Sequence, residues 1–214
     1  MNKTKNANNN LNLGRVGLTA RFKPLHLGGA AMLEALCKNS DHVIIGLGSS
    51  NKYNVRNPFT ADESEGMVHA FLKSRFNNYE VIHIPDFAHI PEYSDGQKWR
   101  EYVKDKMGDL DFFVTGNAYV ANLLKDDYSI IKPNEVISSE KRIQLRATMV
   151  RYGMAKDEHW EKFVPRETEL YLKKHHLVER FQKEFGVETI ESLKGVDYSS
   201  LESAQEEMNH TKEK

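Results

Sequence analysis

Leu18-Thr19-Ala20-Arg21-Phe22-Lys23-Pro24-Leu25-His26-Leu27-Gly28-Gly29 is the stretch that decides the fold of this chain. An apolar run ends at Ala20, a loop carrying Arg21, Lys23, Pro24 and His26 follows, and two glycines open a helical pattern. A strand, a short cationic loop and a helix N-terminus in that order form a phosphate cradle, because backbone N–H groups and the helix dipole converge on the turn.

Outward from this turn, short apolar runs alternate with helical patterns. Strands are expected at Val16 to Arg21, His42 to Gly48, Val81 to Pro85, Asp111 to Thr115 and Ser129 to Ile131, each rich in Val, Ile, Phe or Leu. The first helix spans about Gly28 to Lys38, with Met32, Leu33, Leu36 and Cys37 on one face. Thr60-Ala61-Asp62-Glu63 reads as a capping box that starts a second helix running to about Arg75, with Met67, Val68, Phe71 and Leu72 inward. Further helices are expected at Gln97 to Met107, Ala118 to Lys125 and Arg166 to about Phe185. Such alternation predicts an α/β fold: a mostly parallel sheet covered on both faces, with a ligand at the carboxyl ends of the strands, and a helical C-terminal part.

A chain of 214 residues, 39% hydrophobic and 29% charged, suits one globular domain with tails. A net charge of −1 with no local basic patch argues against nucleic acid as a partner. No run approaches the roughly 18 apolar residues of a membrane helix, and the polar, Asn-rich start is unlike a signal peptide. The single cysteine, Cys37, excludes an intrachain disulfide and suits a reducing compartment, so a cytoplasmic protein is expected. The expected division is a disordered tail over 1–13, a domain over 14–165, a helix over 166–185 and a polar tail over 186–214.

The stretch Arg21 to Gly28 resembles the opening signature of the nucleotidyltransferase superfamily, in which a loop ending His-x-Gly-His precedes the first helix. Ile45-Gly46-Leu47-Gly48-Ser49-Ser50 and Asn57-Pro58-Phe59-Thr60-Ala61-Asp62-Glu63 are similar to the second strand and following loop of the archaeal-type nicotinamide mononucleotide adenylyltransferases. Leu145-Arg146-Ala147-Thr148-Met149-Val150-Arg151 and Trp160-Glu161-Lys162-Phe163-Val164-Pro165 resemble that family's Ile-Ser-Gly-Thr-x-x-Arg and Trp-Glu-x-x-Val-Pro blocks. Three blocks in the right order are far more specific than one Gly-rich loop. The resemblance implies a Rossmann-like three-layer sandwich, and transfer of AMP from ATP to nicotinamide mononucleotide, giving NAD and pyrophosphate. It also implies magnesium as cofactor, ATP and a small nucleotide as partners, and a homo-oligomer, with no protein metal ligands.

Such a transfer needs no covalent enzyme intermediate. It needs two polyanions held in line and the charge growing on pyrophosphate stabilised. On this reading His26, Lys23 and Arg151 are the catalytic set, with Arg21 and Lys23 adding positive charge at the rim. Phe22, Gly28, Gly29, Gly46, Gly48, Asn117, Arg146 and Thr148 join Arg21 around the ATP. Asp86 and Trp99 resemble the part of the family that faces the acceptor. Several positions keep a second reading: His26 as a structural histidine, Thr148 and Arg151 as a polar helix face, Gly46 and Gly48 as a packing site for a helix, and Gly116-Asn117 as an ordinary turn. Trp160 and Phe163 read as core or interface aromatics.

The departures bear on activity. Gly29 stands where the family has its second histidine, Lys23 replaces a glutamine, Ser64 an arginine, and Arg146-Ala147 a Ser-Gly pair. Loss of one preorganised donor to a transition-state anion costs about 2.7 to 4 kcal/mol, or 100- to 1000-fold in rate. A different acceptor, or a nucleotide-binding regulator with impaired catalysis, are the alternatives.

Overall fold

The structure, a computed structural model, describes residues 12–138, 142–143 and 145–192. It divides into two compact units, one drawn from 1–21, 32–51 and 75–140 and the other from 22–31, 52–74 and 141–214.

The first unit holds the sheet. Its strands are β1 (Arg15–Ala20), β2 (His42–Gly48), β3 (Tyr79–Ile84), β4 (Phe112–Val114) and β5 (Ile130–Ile131), in the order β3-β2-β1-β4-β5. Every neighbouring pair is parallel, with Val16 opposite Val43 and Phe112, and Ile45 opposite Val81. This is a Rossmann-like α/β fold, and all five strands fall within two residues of their expected positions. Parallel strands read clearly because they are buried on both faces, which leaves continuous apolar runs such as Val43-Ile44-Ile45.

On one side of the sheet, α3 (Gln97–Met107) and α4 (Ala118–Leu124) pack over β2 and β4. Ile44, Ile84, Val103, Met107, Phe113, Leu124 and Tyr128 form a single buried cluster. Asp127 ties this layer together by accepting from Arg100 and Lys104 of α3, and the Arg100 bond in particular holds its carboxyl down at about 2. A short helix, α5 (Pro133–Val136), follows β5. The first helix, α1 (Leu27–Asn39), carries Leu33, Leu36 and Cys37 as buried residues of its latter part.

The second unit is helical: the start of α1, then α2 (Ala61–Leu72), α6 (Ala147–Lys156), a 3-10 turn at Trp160–Phe163, α7 (Arg166–Lys174) and α8 (Leu177–Ser192). The capping box at Thr60 forms as the sequence requires: the Thr60 hydroxyl accepts from the Glu63 amide at 3.2 Å, and the Glu63 carboxylate accepts from the Thr60 amide at 2.9 Å. Arg180 of α8 grips the same Glu63 with both terminal nitrogens and donates to the Pro58 carbonyl at 3.1 Å. Trp160 and Phe163 are buried, as their reading as core aromatics requires.

Two expectations need correction. The single helix over 166–185 is two helices broken at His175-His176, where His176 takes a left-handed backbone (φ 54°). The break lets Leu172 before it and Leu177, Val178 and Phe181 after it all be buried, which one straight stripe does not achieve. The polar tail does not begin at Gly186 either, because α8 continues to Ser192 with Gly186 and Thr189 buried. The tail expected over 1–13 falls, up to residue 11, outside the described residues, as does 193–214.

Candidate nucleotide site

Strand order reverses between β1 and β4, so the crevice beyond their carboxyl ends is where an open parallel sheet takes its ligand. A cleft of about 430 Å³ lies there in the first unit. Thr19, Ala20 and Arg21 leaving β1, Gly48 and Ser49 leaving β2, and Thr115 and Asn117 after β4 form its floor. The walls are Asp86, Phe87, Tyr93, Trp99 and Tyr119. The structure therefore brings together Arg21, Gly48, Asn117, Asp86 and Trp99 from the sequence reading. Asn117 also caps α4, its side-chain oxygen accepting from the amides of Tyr119 and Val120. The Asp86 backbone is held in both directions by the Asn51 side chain, at 2.8 and 2.9 Å, and one carboxylate oxygen of Asp86 accepts from the Ala88 amide.

Gly46 does not line this cleft. A Cβ there would stand 2.8 Å from Met107 Cε and 3.0 Å from Ile84 and Thr19, so the glycine makes room for α3, the second of its two readings. At Gly48 a Cβ would meet nothing nearer than 3.8 Å, so its place is beside the cleft rather than under a helix.

The second unit gathers the residues around the starts of α1 and α6. Gly28 and Gly29 lie in the first turn of α1, and the Gly29 amide donates to His26 Nδ1 at 3.2 Å. That bond leaves the proton on Nε2, so His26 presents a neutral N–H donor. Burial, helped by the charge of Arg151, pushes the imidazole from 6.5 down to about 4 and keeps it neutral near pH 7. Arg151, buried on α6, donates to the Lys23 carbonyl at 2.9 Å and to the Thr148 hydroxyl at 3.2 Å. Arg146, at the start of α6, is exposed.

Lys23 departs from its expected place at the rim. It is not a rim cation: it is 1% exposed, with its ammonium donating to the Lys52 carbonyl at 3.4 Å. Phe22 is likewise buried, in a left-handed conformation (φ 47°), with its ring beside Gly29. A Cβ on Gly28 would approach the Ile143 carbonyl to 2.8 Å, so no side chain fits there without movement. Of the cleft residues, the sequence reading missed Tyr93, Tyr119 and the supporting Asn51. Tyr119 carried one signal, its position just inside the helix that Asn117 caps.

A five-stranded parallel sheet with its cleft at the switch point, followed by a His-x-Gly loop opening a helix, defines the Rossmann-like nucleotidyltransferase class. No protein-family model matches the chain. The sequence is 31% identical over 166 residues to the nicotinamide-nucleotide adenylyltransferase of Thermococcus kodakarensis, covering 76% of this chain and 84% of that one. It is 32% identical over 168 residues to the enzyme of the same name from Pyrococcus furiosus, with the same coverage. Among solved structures it resembles a bifunctional NMN adenylyltransferase/ADP ribose pyrophosphatase from Francisella tularensis complexed with AMP and a manganese ion. That likeness has a TM-score of 0.61 at 15% identity and covers 83% of this chain and 52% of the other. The chain belongs to the nicotinamide-nucleotide adenylyltransferase family. Among the described residues no helix is long and apolar enough to cross a membrane.

Proposed function

We infer that this protein transfers the adenylyl group of ATP to nicotinamide mononucleotide. A phosphate oxygen of the acceptor attacks the α-phosphorus, the bond from that phosphorus to the oxygen bridging the β-phosphate breaks, and pyrophosphate leaves as NAD forms. The observation that carries this reading is His26, fixed by the Gly29 amide as a neutral Nε2–H donor at a helix N-terminus. A preorganised donor of this kind stabilises charge developing on phosphate oxygens without reorganising at the moment of reaction.

Arg21, Gly48 and Asn117 line the nucleotide cleft, with Asp86 and Trp99 on its acceptor side. Gly28 and Gly29 let the turn close around His26 at the start of α1, and Thr148 and the exposed Arg146 serve at the start of α6. Among the described residues Asp86 is the one carboxylate lining the cleft, and part of it is occupied by the Ala88 amide. This donor set suits magnesium carried by the triphosphate rather than held in a protein cage. Bound that way, the ion neutralises triphosphate charge, while the side chains orient the two nucleotides. The buried thiol of Cys37, pushed by burial and then by Glu34 up to about 12, is inert and consistent with a cytoplasmic protein.

Purified protein mixed with ATP, magnesium and nicotinamide mononucleotide is expected to release pyrophosphate and form NAD in equal amounts. Nucleotide binding without pyrophosphate release would overturn the assignment in favour of a regulatory role. In the second unit Arg151 acts first as scaffold, since its two described donors hold the Lys23 carbonyl and Thr148. Arg151→Gln should lower stability by about 2 to 3 kcal/mol, the scale of losing charge-assisted bonds from a buried group, read from urea midpoints. It should also raise the His26 pKa only part of the way back, because burial is the larger cause of the shift. NMR titration of the imidazole checks this.

A further inference from the structure

The two aromatic walls of the cleft rise from strands that are not neighbours. The loop carrying Asp86 to Gly96 follows β3, whereas Tyr119 stands on α4 after β4. In the order β3-β2-β1-β4 these strands are three spacings apart, about 14 Å in the hydrogen-bonding direction. Yet the Tyr119 hydroxyl donates to the Asp95 carbonyl at 3.1 Å. The end of the loop, at the entrance to α3, therefore meets the start of α4 beside the cleft.

Its roots are fixed independently: Asn51 holds the Asp86 backbone, and Phe87 packs edge-on against Tyr102 of α3 at 5.9 Å. The landing point is shaped for the tyrosine. Gly96 has φ 81°, and a Cβ there would stand 2.2 Å from the Tyr119 oxygen, so only glycine leaves space for the hydroxyl. Tyr119 is 56% exposed, far more than core packing requires, and lines the cleft beside Trp99.

We propose that Tyr119 is a positioning residue for the acceptor nucleotide: it latches the end of the 86–96 loop to α4 beside the cleft and so sets the distance between Asp86, Trp99 and the end of β1. The acceptor's identity rests on the function proposed above; the latch does not.

Tyr119→Phe removes one oxygen and tests it. Two readouts are expected to move: the KM for nicotinamide mononucleotide should rise about 2- to 10-fold, the worth of one hydrogen bond, while the KM for ATP stays within 2-fold. In the ligand-free protein, acrylamide should quench tryptophan fluorescence more strongly than in wild type, since Trp160 is 2% exposed and the half-buried Trp99 is the one within reach of the quencher. Gly96→Ala should shift both the same way, with thermal melts confirming that each variant is folded. Unchanged quenching in Tyr119→Phe would overturn the latch even if the protein used another acceptor, and so would equal rises in both KM values. Absence of turnover in wild type with normal quenching differences would overturn the assigned reaction and leave the latch standing.

Discussion

His26→Ala is expected to lower kcat about 100- to 1000-fold while leaving ATP affinity nearly intact, the cost of deleting one preorganised donor to a transition-state anion. The expectation follows from three linked facts. The Gly29 amide occupies Nδ1, the remaining ring nitrogen must carry the proton, and the ring is neutral because burial and Arg151 lower its pKa to about 4. A neutral donor does not titrate near pH 7, so activity should show no His26-dependent fall until the pH approaches 4. Stability follows the same group. Its folded pKa lies below the unfolded value of 6.5, so the unfolded chain binds more protons between the two. The contribution of neutral His26 is complete above about 6.5 and is lost as pH falls through about 4. Steady-state kinetics and urea melts across this range check both; a kcat drop below 10-fold would remove His26 from the catalytic set.

Gly29→His is expected to raise kcat, by about 10-fold or more, by supplying a second imidazole to the same phosphates. The gain is bounded by packing. The Cβ of any residue at 29 would lie 3.1 Å from Phe22 and 3.3 Å from Leu25, tighter than ordinary contact. The neighbour is the edge of an aromatic ring rather than backbone, so a shift of a few tenths of an ångström accommodates it. Phe22→Leu combined with Gly29→His should relieve the contact and show the larger gain. If neither the single nor the double variant exceeds wild type in single-turnover rate, Gly29 is not a gap in the catalytic machinery.

Much of this molecule was legible in the sequence, for identifiable reasons. Buried parallel strands write unbroken apolar runs, and Thr60 with Glu63 writes a helix start in four residues; both appear where expected. The strand-to-helix turn was legible because an apolar run ends at Ala20 and two glycines open a helical pattern, and β1 and α1 meet there. Lys23 was misjudged because an isolated lysine signals solvent, whereas here a carbonyl from Lys52 receives it inside the protein. Gly46 was ambiguous because a missing side chain serves a ligand and a packed helix equally, and only the position of Met107 decides. The contact between the 86–96 loop and α4 left no trace, since irregular backbone has no period and Tyr119 meets Asp95 across 24 residues of chain.

Arg180 gives α8 a weight out of proportion to its length. With Phe181 against Phe59 at 6.1 Å, Phe185 against Tyr53 at 5.3 Å and Gln182 donating to the Met154 carbonyl, α8 clasps two stretches far upstream of it. A protease nick at His175-His176 would thus unseat the start of α2 from below, stripping Glu63 of its counter-charge and baring two rings. Versions shortened to end before α8 are poor starting points for crystals or assays, and the break at His175-His176 marks where such damage would begin.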